Sequence, residues 1–420
     1  MNYNYDVIVI GGGSAGIAAA LKAREQVGSV LLIERNNCLG GILNQCVHNG
    51  FGLSYFKTEM TGPEYANAFV EKVKNTDIQI MLETTVKKIK PAGSKLIKKQ
   101  GYMVETLSPV GSHNFTAKAI VLAMGCRERP AGAINLCGTR PAGVLSAGCA
   151  QKLINIYGKK VGNKAVIIGS GDIGLIMARR MLFEGTEVVG VYEVMPTPSG
   201  LKRNIVQCLD DYNIPLHLSK TIVEVVGENR VEGIYVAPVN PDFSMDLDKK
   251  EFVECDTVIL SVGLVPENNL ATDLGIVVSE TTGGAIVDEY LQTSKEGIFS
   301  CGNVLHVHDI VDNVSVEAEN AGTNAGKYAK GELIQPQKFE INCGNGVRYT
   351  VPKYVYQGKG ICYIRFRVGK IFKDCKIVVK CGDNVILSKE RPIMLPAEME
   401  TIVIDKSRVT GDITVFVEEV

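Results

Sequence analysis

A glycine-rich turn between two apolar runs constrains this sequence more than any other feature. The run Val7–Ile10 leads into G-G-G-S-A-G at 11–16, an alanine-rich stretch follows, and the run Val30–Ile33 is followed by Glu34. Continuous apolar runs are typical of parallel strands that are buried on both faces. Glycines at the first, third and sixth positions permit the tight turn, close approach of a phosphate, and close helix–strand packing. The segment predicts a strand–turn–helix–strand unit that binds a dinucleotide.

A second copy of this unit begins near the middle of the chain. Ala165–Ile168 leads into G-S-G-D-I-G at 169–174, and the strand-like run Glu187–Tyr192 is followed by Glu193. The acid follows the first glycine at nearly the same spacing as in the first copy. One such turn is a weak signal, but two complete units with matching acids favour an α/β protein with two Rossmann-like domains.

Charge and cysteine spacing exclude several other classes of protein. Lys+Arg 45 against Asp+Glu 46 gives a net charge of -1, so nothing favours a nucleic-acid or anionic-membrane partner. The longest uncharged apolar stretch, Val7–Leu21, is too short to span a bilayer, which takes about 20 residues. The N-terminus lacks a basic region, so we expect no signal peptide and a cytoplasmic location. None of the 12 cysteines forms a C-x-x-C pair, which argues against zinc ribbons and thioredoxin-type dithiols.

Over residues 5–330 the pattern resembles the two-dinucleotide-binding-domain flavoproteins of the pyridine nucleotide–disulfide reductase superfamily. The resemblance implies FAD on the first turn and NAD(H) on the second. The segment T-S-K-E-G-I-F-S-C-G-N at 293–303 matches the second FAD motif, with Asn303 where Asp is usual. It places FAD against Gly11, Gly13, Ser14, Ala15, Gly16, Glu34, Arg35, Gly41, Ala123, Gly125, Gly302 and Asn303. It places NAD(H) against Gly169, Gly171, Asp172, Ile173, Gly174, Glu193 and Gly263.

The choice of nicotinamide cofactor depends on Glu193. A carboxylate at the end of the second strand accepts hydrogen bonds from ribose hydroxyls and repels a 2′-phosphate. The sequence therefore favours NAD(H) over NADP(H).

A closer resemblance covers nearly the whole chain. The strings G-G-I-L-N-Q-C-V-H-N-G-F-G at 40–52 and C-G-N-V-L-H-V-H-D at 301–309 are similar to the FAD-dependent oxidoreductases encoded beside bacterial anaerobic-type glycerol-3-phosphate dehydrogenases. More distantly, the chain is similar to flavoprotein subunits of opine oxidases, hydrogen cyanide synthase and amino-acid dehydrogenase complexes. These relatives imply a subunit that exchanges electrons between NAD(H) and a partner dehydrogenase through FAD. A stand-alone NADH oxidase or peroxidase and an assembly subunit with a non-catalytic flavin are the alternatives.

Disulfide reduction is disfavoured by the positions of the redox groups. The resemblance puts Leu43 where the first redox cysteine of the glutathione-reductase branch should be, and no histidine follows His308. It places Cys46 and His48 beside the flavin, where Cys46 is either redox active or simply packed, with His48 hydrogen-bonded to backbone. His306 and His308 precede a helix expected after Asp312, where they add positive charge, move a proton, or serve only as structural donors. No third ligand is evident for that pair, so no metal site is predicted.

The last segment of the chain has a different character. We assign residues 1–140 and 264–332 to an FAD-binding domain, 141–263 to an NAD(H)-binding domain and 336–420 to a small β-sandwich-like domain. In 362–368, Cys, Ile, Phe and Val alternate with Tyr363, Arg365 and Arg367, which predicts a half-solvated antiparallel strand. We expect this domain to dock a partner or cap a homo-oligomer, and its removal after Gly331 to leave FAD bound.

Overall fold

The computed structural model describes residues 2–92 and 101–419. The chain forms two compact units, of which one combines the residues up to Cys126 with those from Pro266 onward, and the other spans Arg127–Val265. Among the described residues, no helix is both long enough and apolar enough to cross a membrane.

The first unit contains a central sheet that is mainly parallel. Strands β5, β2, β1 and β8 lie side by side in that order, all parallel, and β7 and β6 continue the sheet antiparallel. The strands up to residue 122 are β1 Asn2–Ile10, β2 Val30–Ile33, β3 Asn49–Phe51, β4 Met60–Thr61, β5 Gln79–Met81, β6 Thr85–Ala92, β7 Gly101–Ser108 and β8 Gly111–Leu122.

The second unit is a parallel five-stranded sheet with a smaller four-stranded sheet. The parallel order is β11, β18, β12, β13, β14, and the smaller sheet runs β10, β15, β16, β17. The bounds in this part are β9 Cys126–Glu128, β10 Cys137–Gly138, β11 Val144–Ser146, β12 Lys164–Ile168, β13 Glu187–Glu193, β14 Leu216–Leu218, β15 Lys220–Val226, β16 Gly233–Pro238, β17 Glu251–Glu254, β18 Thr257–Leu260 and β19 Leu264–Pro266.

The C-terminal strands enclose a hydrophobic core of their own within the first unit. Two sheets, ordered β23-β21-β28-β25-β26 and β22-β24-β27, contribute to a core that includes Ile364, Phe366, Ile377 and Val415. The strands are β20 Ile298–Ser300, which joins the first sheet, β21 Lys338–Cys343, β22 Val347–Val351, β23 Tyr354–Tyr356, β24 Ile361–Val368, β25 Phe372–Cys381, β26 Asn384–Met394, β27 Glu400–Asp405 and β28 Ile413–Glu419. The prediction of two Rossmann-like domains with an added β domain is confirmed.

Seven helices accompany the sheets in the described part of the chain. They are α1 Ser14–Arg24, α2 Gly62–Lys74, α3 Ala147–Asn155, α4 Asp172–Phe183, α5 Lys202–Cys208, α6 Asn269–Asp273 and α7 Val311–Lys330. Alanine favours α1 through its high helix propensity, and a capping box of Thr61 and Glu64 starts α2. α7 packs closely on α1 at Gly322. A Cβ at this position would lie 2.1 Å from the Ala19 carbonyl oxygen, so only glycine permits the approach. This contact holds α7 against the helix that follows the first glycine-rich turn.

Candidate functional site

The first glycine-rich turn is a cradle that is closed on one side and open on the other. Gly11 has φ +107°, and a Cβ there would lie 2.3 Å from the Ala123 carbonyl oxygen. A Cβ on Gly16 would lie 1.7 Å from the Gly11 carbonyl oxygen, so helix and strand need that glycine for packing. A Cβ on Gly13 would meet only the Cα of Gly41, at 3.9 Å. Protein atoms therefore do not explain the glycine at position 13, whereas a phosphate group at the start of α1 fits the open side.

Glu34 lies at the end of β2, directly beside this cradle. Its side chain is buried, and its Oε2 accepts a hydrogen bond from the backbone N–H of Gly12 at 2.7 Å. Its Oε1 accepts from the backbone N–H of Asn36 at 2.8 Å. These two donors fix the carboxylate at the position predicted for ribose recognition.

The turn in the second unit repeats this geometry. Gly169 has φ +93°, and a Cβ there would lie 2.2 Å from the Ser261 carbonyl oxygen. A Cβ on Gly174 would approach the Ser261 Cβ to 2.7 Å, whereas one on Gly171 would come only within 3.4 Å of the Ser261 hydroxyl. The first and sixth glycines again serve packing, and the third again borders open space.

Glu193 repeats the hydrogen bonds of Glu34. Its Oε2 accepts from the backbone N–H of Ser170 at 2.9 Å, and its Oε1 accepts from that of Met195 at 2.9 Å. In both units the acid therefore bonds the second residue of the turn and the residue two positions after itself. The hydroxyl of Ser199 also donates to Glu193, at 3.1 Å.

The other residues predicted for NAD(H) lie around the second turn. Asp172 is the first residue of α4, and its Oδ1 accepts from the backbone N–H of Leu201 at 2.8 Å and from Asn204 Nδ2 at 2.7 Å. Ile173 is half-buried in the first turn of α4. Gly263 follows β18 with φ +104°, and a Cβ there would meet no described atom within 4 Å. Asp172 thus anchors the segment after β13 to the start of the helix.

The predicted second FAD motif lies against the first turn. Gly302 has φ +71°, and a Cβ there would lie 2.9 Å from the Ala15 Cβ. Asn303 accepts from the backbone N–H of His308 at 3.0 Å, and its Nδ2 lies 3.7 Å from the Cys126 sulfur. The structure therefore brings together both FAD motifs.

Three more residues predicted for FAD lie around this group. Ser14 is the first residue of α1. Arg35 directly follows Glu34 and is exposed. Gly125 has φ +71°, and its carbonyl accepts from the backbone N–H of Glu267 at 3.0 Å.

Cys46 and His48 lie in the loop between a short 3-10 helix, Gly41–Gln45, and β3. The Cys46 thiol donates to the carbonyl of Ile42 at 3.3 Å, and its own carbonyl accepts from the backbone N–H of Gly62, the first residue of α2. The Nδ1 of His48 lies 2.9 Å from the Asn49 carbonyl oxygen. His48 therefore makes a hydrogen bond to backbone, as expected where Cys46 is simply packed and His48 has a structural role.

Asp312, on α7, holds the turn at residues 52–55 through hydrogen bonds. Its buried carboxylate accepts from the backbone N–H groups of Gly52, Ser54 and Tyr55 at 3.0, 2.7 and 3.1 Å. The helix begins at Val311, before Asp312. The prediction that the helix starts after Asp312 is therefore wrong, because this side chain caps a distant turn instead of its own helix.

His306 and His308 meet at a carboxylate that the sequence analysis missed. The Nε2 atoms of His306 and His308 lie 2.8 and 3.2 Å from the two carboxylate oxygens of Glu317 on α7, which also accepts from the backbone N–H of Gly302 at 2.8 Å. Burial lowers the pKa of His306 to about 4. Burial opposes ionisation of Glu317, but His308, His306 and their hydrogen bonds hold the pKa of its carboxyl well below its usual range. The cluster thus contains an ionised carboxylate and a His306 that is neutral at pH 7.

The cation that faces Glu317 comes from the C-terminal domain. Nη1 of Arg365 lies 3.2 Å from Glu317 Oε2, and Arg365 is 7% exposed. Arg367 pairs with Asp309 and is half-buried, whereas Tyr363 is exposed. The prediction of a solvated face on β24 is therefore wrong for both arginines, because Arg365 pairs with an acid on α7 and Arg367 with one in the loop before it. Alternation of apolar and polar residues shows which face of a strand is polar. It does not show whether that polar face meets water or another part of the protein.

The three groups at this cluster also have the composition of a metal site. One ligand atom each from His306, His308 and Glu317 lie within 4.8 Å of one another. No third ligand is evident from the sequence, and the structure places Glu317 in that position. Both Glu317 oxygens already accept hydrogen bonds, however, and the Arg365 guanidinium repels a cation, so we assign no metal here.

The sequence matches the family model described as pyridine nucleotide-disulphide oxidoreductase over residues 5–325. A relative is hydrogen cyanide synthase subunit HcnB of Pseudomonas protegens, 23% identical over 84% of this chain and 78% of its own. Mercuric reductase of Bacillus cereus is 26% identical over 85% of this chain and 56% of its own. The crystal structure of T. acidophilum thioredoxin reductase covers 78% of this chain and 99% of its own, with TM-score 0.63 and 23% identity. That last likeness concerns the fold alone.

Proposed function

The chain belongs to the pyridine nucleotide-disulphide oxidoreductase family, and we propose that it transfers hydride between NAD(H) and FAD and exchanges electrons with a partner dehydrogenase subunit. It is an FAD-dependent oxidoreductase that uses NAD(P)H, as are the proteins of this family. The finer proposal concerns the nucleotide, the electron acceptor and the residues that serve each. It includes a partner of the glycerol-3-phosphate or the amino-acid and opine type.

The observation that carries the proposal is the identical bracing of the two acids. Glu34 and Glu193 each accept a hydrogen bond from the second residue of a glycine-rich turn, so each carboxylate is fixed beside an open phosphate cradle. We assign the first cradle and Gly302–Asn303 to FAD, and the second cradle to the nicotinamide nucleotide. When bound, FAD accepts a hydride from the nicotinamide and delivers the electrons onward. The residues of the chain bind and orient the two nucleotides and place charges that complement those of the nucleotides.

Glu193 supports NADH as the preferred nucleotide. Its carboxylate is 4% exposed and is held by four donors, so it stays fixed where the ribose hydroxyls are recognised in this arrangement. A 2′-phosphate there would face a fixed negative charge, whereas free hydroxyls find an acceptor.

A partner subunit, rather than a disulfide, is supported by the cysteines. The sequence has no C-x-x-C pair, and the thiol of Cys46 donates to a backbone carbonyl. The relative HcnB is described as a subunit of a synthase, which supports an acceptor on another chain. A stand-alone oxidase or peroxidase that uses Cys46 is the second candidate, since Cys46 lies where the loop meets the first residue of α2. Turnover with oxygen or peroxide that Cys46→Ser abolishes would select this second candidate.

The test is an anaerobic titration of the purified flavoprotein with NADH and, separately, with NADPH. We expect NADH to bleach the flavin absorbance rapidly, NADPH to do so more slowly, and an artificial dye to reoxidise the flavin. Absence of bleaching by either nucleotide would overturn the proposal. A faster reaction with NADPH would overturn the assignment of Glu193.

A further inference from the structure

Two arginines of β24 contact the part of the chain that follows the second FAD motif, one on α7 and one in the loop before it. Arg365 pairs with Glu317, and Arg367 pairs with Asp309 and donates to the Val307 carbonyl at 3.1 Å. From the same domain, the backbone N–H of Met399 donates to Asp309 at 2.7 Å. The segment from Gly302 to Asp309 is thus held from one side by α7 and from the other by the C-terminal domain.

Glu317 is the centre of these contacts. Three groups donate hydrogen bonds to its carboxylate, the Gly302 backbone N–H and two imidazoles, and the Arg365 guanidinium forms an ion pair with it. An ionised carboxylate only accepts hydrogen bonds, so His306 and His308 both carry a proton on Nε2. Their Nδ1 atoms are buried and have no hydrogen-bond partner among the described residues. The Arg365 guanidinium adds a permanent positive charge 3.2 Å from this carboxylate.

We propose that Arg365 of the C-terminal domain is a positioning residue of the flavin site, which acts through Glu317 on the backbone N–H of Gly302, next to Asn303. This inference rests on the proposed assignment of those two residues to FAD. Without the guanidinium, the buried carboxylate would keep only the two imidazoles and the Gly302 N–H, and removal of one partner of a buried pair is strongly unfavourable. The carboxylate would then recruit a proton or water, and its hydrogen bond to Gly302 would weaken. The C-terminal domain is therefore part of the cofactor site and not only a surface for docking.

A matched ion pair within the same domain supplies the control. Arg391 on β26 lies 2.6 Å from Glu400 on β27, and neither residue contacts the 302–309 segment in the described hydrogen bonds and ion pairs. Like Arg365, Arg391 has a buried Nε without a partner. Loss of Arg391 therefore removes a more exposed ion pair of the C-terminal domain and leaves Glu317 intact.

The experiment measures FAD binding to the full-length apo-protein by titration, together with the thermal stability of each variant. The variants are Arg365→Met, Arg365→Lys, Glu317→Gln, the double variant Arg365→Met/Glu317→Gln, and Arg391→Met. We expect Arg365→Met to raise the FAD dissociation constant by about fivefold or more, the lower range for coupling between sites. Lysine should restore binding, since it supplies the charge without the unpartnered Nε–H. The double variant should bind FAD more tightly than Arg365→Met, and Arg391→Met should bind it as the native chain does.

Each result that departs from these expectations leads to a different conclusion. Native binding by Arg365→Met, or equal weakening by Arg391→Met, would overturn the inference. Failure of lysine to restore binding would show that the charge is not what matters, which also overturns it. A stoichiometric divalent metal in the native protein that Glu317→Gln loses would reassign the cluster to a metal. If the native chain itself bound no FAD, the proposed function would fail, and this outcome is distinct from all the others.

Discussion

Gly13→Ala should separate flavin binding from folding. The φ of Gly13 is -76° and its ψ is -174°, which alanine adopts without strain. The new methyl group would meet only the Gly41 Cα, at 3.9 Å, so no protein atom has to move. It would instead occupy the open side of the cradle, where we place the pyrophosphate of FAD.

The effect of Gly13→Ala on apo-protein stability should be small, because two terms oppose each other. Alanine restricts the unfolded chain, which stabilises a protein by about 0.4–1 kcal/mol. Gly13 is also the N-cap of α1, where alanine is poorer than glycine by roughly 0.5–1 kcal/mol. The net change in the free energy of unfolding should be within about 1 kcal/mol of zero.

Gly16→Ala is the matched control, three residues along the same helix. Its Cβ would lie 1.7 Å from the Gly11 carbonyl oxygen, which is backbone and cannot turn away. Overpacking of this kind costs typically about 1–3 kcal/mol, so the apo-protein should be clearly destabilised.

The assay is urea unfolding of both apo-proteins, followed by FAD titration of each. Gly13→Ala should unfold like the native apo-protein and bind FAD far more weakly. An FAD affinity equal to that of the native chain would refute the placement of the pyrophosphate. Destabilisation as large as that of Gly16→Ala would refute the argument from the open cradle.

Three further predictions concern the second cradle and the buried cluster. Gly171→Ala, whose Cβ would lie 3.4 Å from the Ser261 hydroxyl, should retain FAD but slow flavin reduction by NADH; a native rate would contradict it. Glu193→Gln should narrow the kcat/KM ratio of NADH to NADPH, since it removes the charge that repels a 2′-phosphate; an unchanged ratio would contradict that role. Burial lowers the pKa of His306 from 6.5 to about 4, so the unfolded chain binds the proton first and the free energy of unfolding should fall as pH drops through that interval. His306→Gln should flatten this slope in denaturant titrations.

The Rossmann-like units could be predicted because their signals are local. A parallel strand buried on both faces is a continuous apolar run, so Val30–Ile33 has the same limits in sequence and structure. The steric demands on Gly11 and Gly16 likewise follow from the turn itself. The predicted start of α7 after Asp312 was wrong. Asp and Asn side chains at a helix start commonly cap that helix, but the partners of Asp312 lie in a turn far away in sequence.

The buried cluster could not be predicted because its members come from separate layers. Glu317 lies on a helix and Arg365 on a strand of another hydrophobic core, and no local pattern links an acid on one to a cation on the other. Alternation in β24 correctly predicts the buried side, with Ile364 and Phe366 fully inside. It does not predict what covers the opposite side, where Arg365 pairs with Glu317 of α7 and Arg367 with Asp309 in the loop before that helix.

This difference reverses the outcome expected for a chain cut after Gly331. If residues 336–420 were a separate module, the truncated protein would keep its flavin. In the structure, the cut removes Arg365 from Glu317, Arg367 from Asp309 and Lys406 from Glu289, and each of those carboxylates is largely buried. Buried carboxylates without their cations are unfavourable, so we expect the truncated chain to lose FAD and to unfold more readily. A truncated protein that purifies with stoichiometric flavin would show that the C-terminal domain is dispensable for the site.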